Sequence, residues 1–179
     1  MNYKYLNDLE RNLEIQAHSY LLQKDDSLFE SQTRVELNQV SLVNRLKSHI
    51  GQFKKFYLSD LNIYAKILEI NMESILVENE GFKYLIRVNQ ILGVNNLSYT
   101  NLKLTRFEEK WSLKSSLRDL MLRKIPVQFK LVNQQYLQGT LNNFFNDHLD
   151  LLTNLETVSL NINSILWVRY KSDYEIFNT

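Results

Sequence analysis

The chain has 179 residues, of which 44% are hydrophobic, with four glycines, one proline, no cysteine and a formal net charge of +1. This composition supplies apolar side chains for packed cores, excludes disulfides and thiolate chemistry, and gives no overall charge that would attract nucleic acid or a membrane. The N-terminus has no apolar run typical of a signal peptide, and no stretch reaches the ~18–20 apolar residues of a membrane span, so we expect a cytoplasmic protein.

Residues 1–40 are predicted to form an amphipathic helix and a lead to the rest of the chain. Apolar side chains recur at intervals of three and four residues, which places them on one stripe of a helix: Leu6, Leu9, Leu13, Ala17 and Tyr20. A single stripe needs a partner surface, either on this chain or on another molecule. Leu6, Leu9, Leu13 and Tyr20 are therefore candidate protein-docking residues.

Two later segments, residues 41–97 and 112–171, each indicate a helix followed by about five short strands. Each helix begins at a serine (Ser41 and Ser112), a residue type that accepts a hydrogen bond from a free amide of the first turn. After each helix, apolar and polar residues alternate over short runs separated by turn residues, which is typical of half-buried antiparallel strands. Residues 98–111 link the two segments, and residues 172–179 form a C-terminal tail.

The two segments repeat each other at an offset of 74 residues, since Asn89, Ile91, Leu92 and Val94 match Asn163, Ile165, Leu166 and Val168. Apolar positions coincide in most of the preceding columns, as for Ile67 and Leu141. A repeat of this length indicates a small domain used twice. Five short twisted strands close best as a small barrel, so the sequence predicts a mainly β protein with helical lead-ins (α+β): two tandem small barrels of Sm-like or SH3-like type after an N-terminal amphipathic helix. The predicted barrel interiors contain Leu149, Leu151, Leu160, Ile162 and Ile165, with Ile75, Val77, Ile86, Val88 and Ile91 as their counterparts.

The run Gly139-Thr140-Leu141, followed by Asp147-His148-Leu149-Asp150-Leu151, resembles two known patterns. A short helix, a glycine in a bent second strand and an alternating third strand are similar to the small barrel of Sm and LSm proteins. Over roughly residues 4–170 the chain also resembles a family of uncharacterised actinobacterial proteins that have an acidic N-terminal helix and two degenerate barrels of this type. The resemblance implies this fold and no particular chemistry.

The residues that form the RNA pocket of Sm proteins are not present in this pattern. Phe145 occupies the position of the acid in the second strand, Asp150 is the nearest residue to the asparagine of the third strand, and residues 160–163 contain no Arg-Gly pair. The first segment also lacks that pair and has Ala65 in place of the strand glycine. We therefore expect no ring-type uridine pocket.

No arrangement of residues predicts catalysis, a metal or a cofactor. His148 lies between Asp147 and Asp150 and is the best single candidate for a proton shuttle or a metal ligand, but three side chains at this spacing cannot converge from one face of a strand. A turn at Asp147 is the structural interpretation. Asn89 and Asn163 are either a pair of ligand contacts or, as we favour, residues of a tight connection between the last two strands of each segment. We expect no enzyme.

Two functions compete. The first is a non-catalytic binding or scaffold module that acts through protein–protein interaction or self-association, with Trp167 as a further docking candidate if it points outward; burial in the core or between subunits is the alternative. The second is an RNA- or DNA-binding protein that uses basic segments with interleaved aromatic residues. Its candidate residues are Arg45, Lys54, Lys55, Arg118, Arg123, Lys124 and Lys130. The basic segments and the acidic residues 1–30 also fit solvated faces that attract one another.

Overall fold

A computed structural model describes residues 40–173. The docking candidates Leu6, Leu9, Leu13 and Tyr20 lie outside the described residues, so their prediction stays untested. Within residues 40–173, ten strands form a single antiparallel sheet with a few short helices. The prediction of a mainly β protein with helical lead-ins is confirmed at this level.

The first half of the described chain contains one helix and five strands. These are α1 (Leu42–Lys47), β1 (Phe53–Tyr57), β2 (Asn62–Ile70), β3 (Ser74–Asn79), β4 (Phe82–Arg87), a 3₁₀ turn (Val88–Gln90) and β5 (Gly93–Val94). The second half contains α2 (Arg106–Lys110), α3 (Leu113–Leu122), β6 (Pro126–Leu131), β7 (Tyr136–Phe144), β8 (His148–Leu152), β9 (Thr157–Asn161), a 3₁₀ turn (Ile162–Ser164) and β10 (Ile165–Lys171).

Local chemistry explains several of these boundaries. The Ser112 hydroxyl accepts a hydrogen bond from the Ser115 amide, so it caps α3 as the sequence predicts. Gly51 has φ +84° after the turn that ends α1, a conformation that favours glycine. Glu80 and Gly81 both have positive φ, of 48° and 76°, as a tight two-residue hairpin between β3 and β4 requires.

The 74-residue repeat is present in the structure as equivalent strands. The bounds of β2, moved by 74 positions, are the bounds of β7, and the two 3₁₀ turns coincide in the same way. Each of these long strands carries an irregularity in the same column, between Ile67 and Glu69 in β2 and between Leu141 and Asn143 in β7. Ile67 and Leu141 therefore occupy equivalent strands, which confirms that part of the prediction.

The strand order shows how the halves meet. The order is β5-β1-β2-β3-β4-β10-β6-β7-β8-β9, so each half has the same internal order and the halves join where β4 pairs with β10. In this antiparallel seam Leu85 lies opposite Val168 and Ile86 lies opposite Trp167. One continuous sheet thus contains both copies of the repeat.

The buried apolar residues form two clusters, one for each half. The predicted interior positions are buried in them, except that Val88 and Ile91 are half-buried at the margin of the first cluster. The clusters exchange residues across the seam: Leu166 and Trp167 belong to the first cluster, and Leu76 and Leu85 belong to the second. Each half therefore completes part of the core of the other.

Candidate functional site

Two of the basic candidates for nucleic-acid contact are buried. Lys54 is 8% exposed, and its Nζ donates to the Asn96 carbonyl at 2.7 Å. Lys130 is 4% exposed, and its Nζ donates to the Gln134 carbonyl at 2.8 Å. The prediction that these two lysines contact nucleic acid is wrong, because a buried ammonium with internal acceptors cannot reach a phosphate.

Two of the arginine candidates are engaged with other groups of the chain. The Arg45 guanidinium donates to the Ser98 carbonyl at 2.8 Å and to the Leu97 carbonyl at 2.7 Å, so it fixes the segment that follows β5. Arg123 Nε donates to Asp119 Oδ1 at 3.0 Å one turn earlier in the chain. These contacts give both arginines structural roles.

The three remaining basic candidates are exposed on different elements. Lys55 lies on β1 with its Nζ 5.2 Å from the Tyr57 ring centroid, and Arg118 lies on α3 with its Cζ 5.0 Å from the Phe144 ring centroid. Lys124 follows α3 in a left-handed conformation, with φ 52°. They come from opposite halves of the described chain.

Trp167 lies inside the protein at the seam between the halves. It is 3% exposed, and its ring centroid lies 5.7 Å from that of Tyr84 and 5.9 Å from that of Tyr136, with an interplanar angle of 60° in each case. The prediction of Trp167 as an outward docking anchor is corrected: β10 is an internal strand, and its tryptophan fills the core. Burial was the alternative that the sequence left open.

A charged pair accompanies this tryptophan. Trp167 Nε1 donates to Asp60 Oδ1 at 3.4 Å, and Asp60 Oδ2 lies 3.6 Å from Lys130 Nζ. The same ammonium lies 3.8 Å from the Tyr136 ring centroid. Asp60 belongs to the first half, whereas Lys130, Tyr136 and Trp167 belong to the second. The buried lysine therefore joins the two halves.

His148 and its carboxylate neighbours form a group at the surface, in which Asp147 is exposed and His148 and Asp150 are half-buried. His148 Nδ1 lies 2.7 Å from Asp147 Oδ1, and the imidazole stacks on Phe145 with 4.5 Å between ring centroids. Asp150 accepts from Ser159 Oγ at 2.7 Å and from Asn143 Nδ2 at 3.1 Å. Among the described residues, no group of three or more His, Asp or Glu side chains is placed to hold a metal ion.

Hydrogen bonds lower the pKa values of Asp147 and Asp150. The pKa of Asp147 is lowered, chiefly by its hydrogen bond with His148. The Ser159 hydroxyl, followed by the Asn143 amide, lowers the pKa of Asp150. Both carboxylates are therefore ionised at neutral pH, and this end of β8 carries negative charge.

The repeated asparagines lie in tight connections, as the sequence predicts. Asn89 lies in the 3₁₀ turn Val88–Gln90, and Asn163 lies in the equivalent turn Ile162–Ser164. The Asn163 amide donates to the Asn161 side chain at 2.8 Å, which fixes the turn before β10.

A depression with a mixed polar and apolar lining lies between β2 and α2. It has a volume of about 260 Å³, and Ile50, Leu68, Phe107 and Trp111 are among its lining residues. The rings of Phe107 and Trp111 are 5.3 Å apart, and Phe107 is exposed. Aromatic and aliphatic side chains of this depression, such as Phe107 and Ile50, are therefore exposed to solvent.

The feature that the sequence did not indicate is the open edge of the sheet. Strand β9 is the last strand at one end, and within residues 40–173 no strand pairs with its outer side. The turn that joins it to β8 presents Leu155, which is 95% exposed, and the adjoining Leu152 is 52% exposed. A signal was present in the repeat: Leu76 and Leu85 of the first half align with Asp150 and Ser159, so the second half has polar residues where the first half buries apolar ones.

Comparison with known proteins assigns no activity to this surface. No protein-family model matches the chain, and no curated protein matches it. None of the described helices combines the length and the hydropathy needed to cross a membrane.

Proposed function

We propose that this protein is a non-catalytic binding module of the cytoplasm that acts through protein–protein interaction. The outer edge of β9, with which no strand of residues 40–173 pairs, is the observation that carries the proposal, together with the exposed Leu152 and Leu155 beside it. An unpaired strand offers a row of backbone donors and acceptors, and proteins use such edges to bind the chains of their partners.

The proposed scaffold is two tandem small barrels of Sm-like type, residues 41–97 and 112–171. The repeated strand order, the matching irregularities in β2 and β7 and the presence of one core cluster for each half support this assignment. In this scaffold β9 is paired with β8 on its inner side. A partner strand could therefore pair with the outer side of β9 without displacing a strand of residues 40–173.

The positions of the basic side chains favour a protein partner over nucleic acid. Lys54 and Lys130 are buried, and Arg45 is bonded to backbone carbonyls. The exposed remainder is divided between Lys55 on β1 in the first half and the basic residues on and just after α3 in the second half, whereas binding to a phosphate backbone needs several cations along one path. Interaction with RNA or DNA is thus the alternative that the experiment must test.

Affinity purification of the tagged full-length chain from its native cells, with and without nuclease, separates the two functions. We expect the same partner proteins in both samples. A triple variant, Lys55→Gln, Arg118→Gln and Lys124→Gln, removes the exposed basic candidates other than Arg123, which is paired with Asp119, and should recover the same proteins.

The opposite result would refute the proposal. Loss of the partners on nuclease treatment would indicate nucleic-acid binding if the purified chain also bound mixed single-stranded RNA with an affinity that falls steeply with salt, about tenfold or more between 50 and 200 mM. The triple variant would then lose this RNA binding.

A further inference from the structure

The seam between the halves shows what an edge of this kind binds. The equivalent of β9 in the first half is β4, and the outer edge of β4 pairs with the antiparallel strand β10. We propose that the outer edge of β9 binds an extended, basic strand of a partner protein by antiparallel β pairing. This inference rests on the proposed function and names the chemistry of the partner.

The hydrogen bonds of β9 fix which backbone groups face outward. The Thr153 amide donates to the Glu156 carbonyl at 2.9 Å, and the Ile162 amide donates to the Asp147 carbonyl at 3.0 Å. Because bonded and non-bonded pairs alternate in an antiparallel ladder, the backbone groups of Val158 and Leu160 face β8. The N–H and C=O of Thr157 and Ser159 are directed toward the open side.

In the seam, the corresponding outward backbone groups of β4 form hydrogen bonds with β10. The Ser172 amide donates to the Gly81 carbonyl at 2.9 Å, and the same alternation makes Leu85 and Val168 a bonded pair. Leu85 is the counterpart of Ser159. The central outward residue of β9 therefore occupies the position that already binds a strand in the first half.

The side chains of β9 determine which strand fits. On one face Leu160 is buried and Val158 is half-buried, so an incoming strand would extend an apolar surface there. On the other face Ser159 and Asp150 replace the buried leucines of the first half, and the Asp150 carboxylate carries negative charge there. A strand that alternates apolar and basic residues complements both faces.

A second copy of the chain does not fit this edge. The equivalent of β10 in the first half is β5, which has only two residues, and the chain turns away at Asn96, where φ is +48°. Pairing of β9 with β9 of another copy would bring no basic side chain next to Asp150, because β9 contains no lysine or arginine. Charge and strand length therefore favour a different protein.

Binding of a defined peptide to the purified full-length chain tests the assignment. The probe is a fluorescein-labelled peptide of about seven residues in which lysine alternates with valine, a length typical of a strand. We expect saturable binding by fluorescence anisotropy. Two control peptides, one with glutamate in place of lysine and one with methylated amide nitrogens on the pairing side, should bind at least about tenfold more weakly, since each removes one part of the recognition.

Two variants at one position separate the backbone from the side chain. Ser159→Pro removes the outward N–H and leaves the bonds of Val158 and Leu160 to β8 in place, because proline is tolerated at the solvent side of an edge strand. We expect it to weaken peptide binding about tenfold. Ser159→Ala keeps the N–H and removes the hydroxyl, so it should change the affinity by less than about threefold.

The charge is tested by Asp150→Asn, which should weaken binding about threefold at low salt and less at high salt. Circular dichroism and thermal melting show whether each variant is folded. If Ser159→Pro does not fold, the N-methylated peptide tests the same N–H···O=C contact with the wild-type protein.

The inference would be overturned by equal binding of the N-methylated peptide, by equal binding of the glutamate peptide, or by a β9-mediated dimer that Ser159→Pro dissociates. Its failure is distinguishable from failure of the proposed function. Nuclease-resistant partners that Ser159→Pro still captures would refute this edge and leave the binding module standing, whereas nuclease-sensitive partners would refute the module itself.

Discussion

Gly139 in β7 is the position where one added methyl group tests the strand pairing most sharply. A Cβ at this residue would lie 2.2 Å from the Leu152 carbonyl oxygen, 2.8 Å from its carbonyl carbon and 3.2 Å from Leu151 Cδ1. The first two atoms belong to the backbone of β8, so a change of rotamer cannot remove the clash. The strands must separate locally by about 0.8 Å or more before the Cβ–oxygen distance reaches 3.0 Å.

We therefore expect Gly139→Ala to destabilise the protein by about 2–3 kcal/mol, the upper part of the range for overpacking, because the displaced atoms are backbone. The melting temperature should fall by about 4–12 °C for a chain of this size. Gly93→Ala is the matched control, since its Cβ would lie 3.6 Å from Tyr57 Cδ2, an ordinary contact. Its free energy of unfolding should stay within about 1 kcal/mol of the wild type.

Urea unfolding followed by circular dichroism measures both variants. An unchanged m value with a lower midpoint would show a loss of stability without a change in the unfolded state. If Gly139→Ala is no less stable than Gly93→Ala, then β7 and β8 do not approach as closely as described, and the steric argument is wrong.

Two further predictions concern the second core cluster. Leu151→Ala should cost about 2–5 kcal/mol in urea unfolding, because the side chain is fully buried, whereas Leu152→Ala should cost less than about 1 kcal/mol; similar losses would show that the faces of β8 are assigned wrongly. The Tyr170 hydroxyl is buried with no hydrogen-bond partner among the described residues, so Tyr170→Phe should be as stable as the wild type or more stable at pH 7. Burial, followed by the charge of Glu69, raises the pKa of Tyr170 well above its ordinary value of 10. Above pH 10 the tyrosine therefore ionises in the unfolded chain but not in the folded one, and the wild type should lose about 1.4 kcal/mol of stability per pH unit relative to Tyr170→Phe. Parallel pH profiles of the free energy of unfolding for the two proteins would contradict this.

Local interactions allowed the sequence to determine most of the strands and the repeat. The alternation around Leu149 and Leu151 reflects a strand with one buried face, and the serine at position 112 caps a helix through an amide three residues away. The equivalence of Ile67 and Leu141 followed from the coincident apolar positions of the two segments alone, because two copies of one fold bury the same positions.

Only the tertiary structure decided which faces and edges are covered. Alternation places Lys130 and Trp167 on faces of their strands but does not say that another half of the chain lies over them. The pairing of β4 with β10 joins residues about eighty positions apart, and no local propensity specifies such a partner. For the same reason the sequence did not predict that β9, which contains Ser159, is an edge strand among residues 40–173. Every strand can pair on both sides, so the order of the whole sheet determines which strand has an unpaired side.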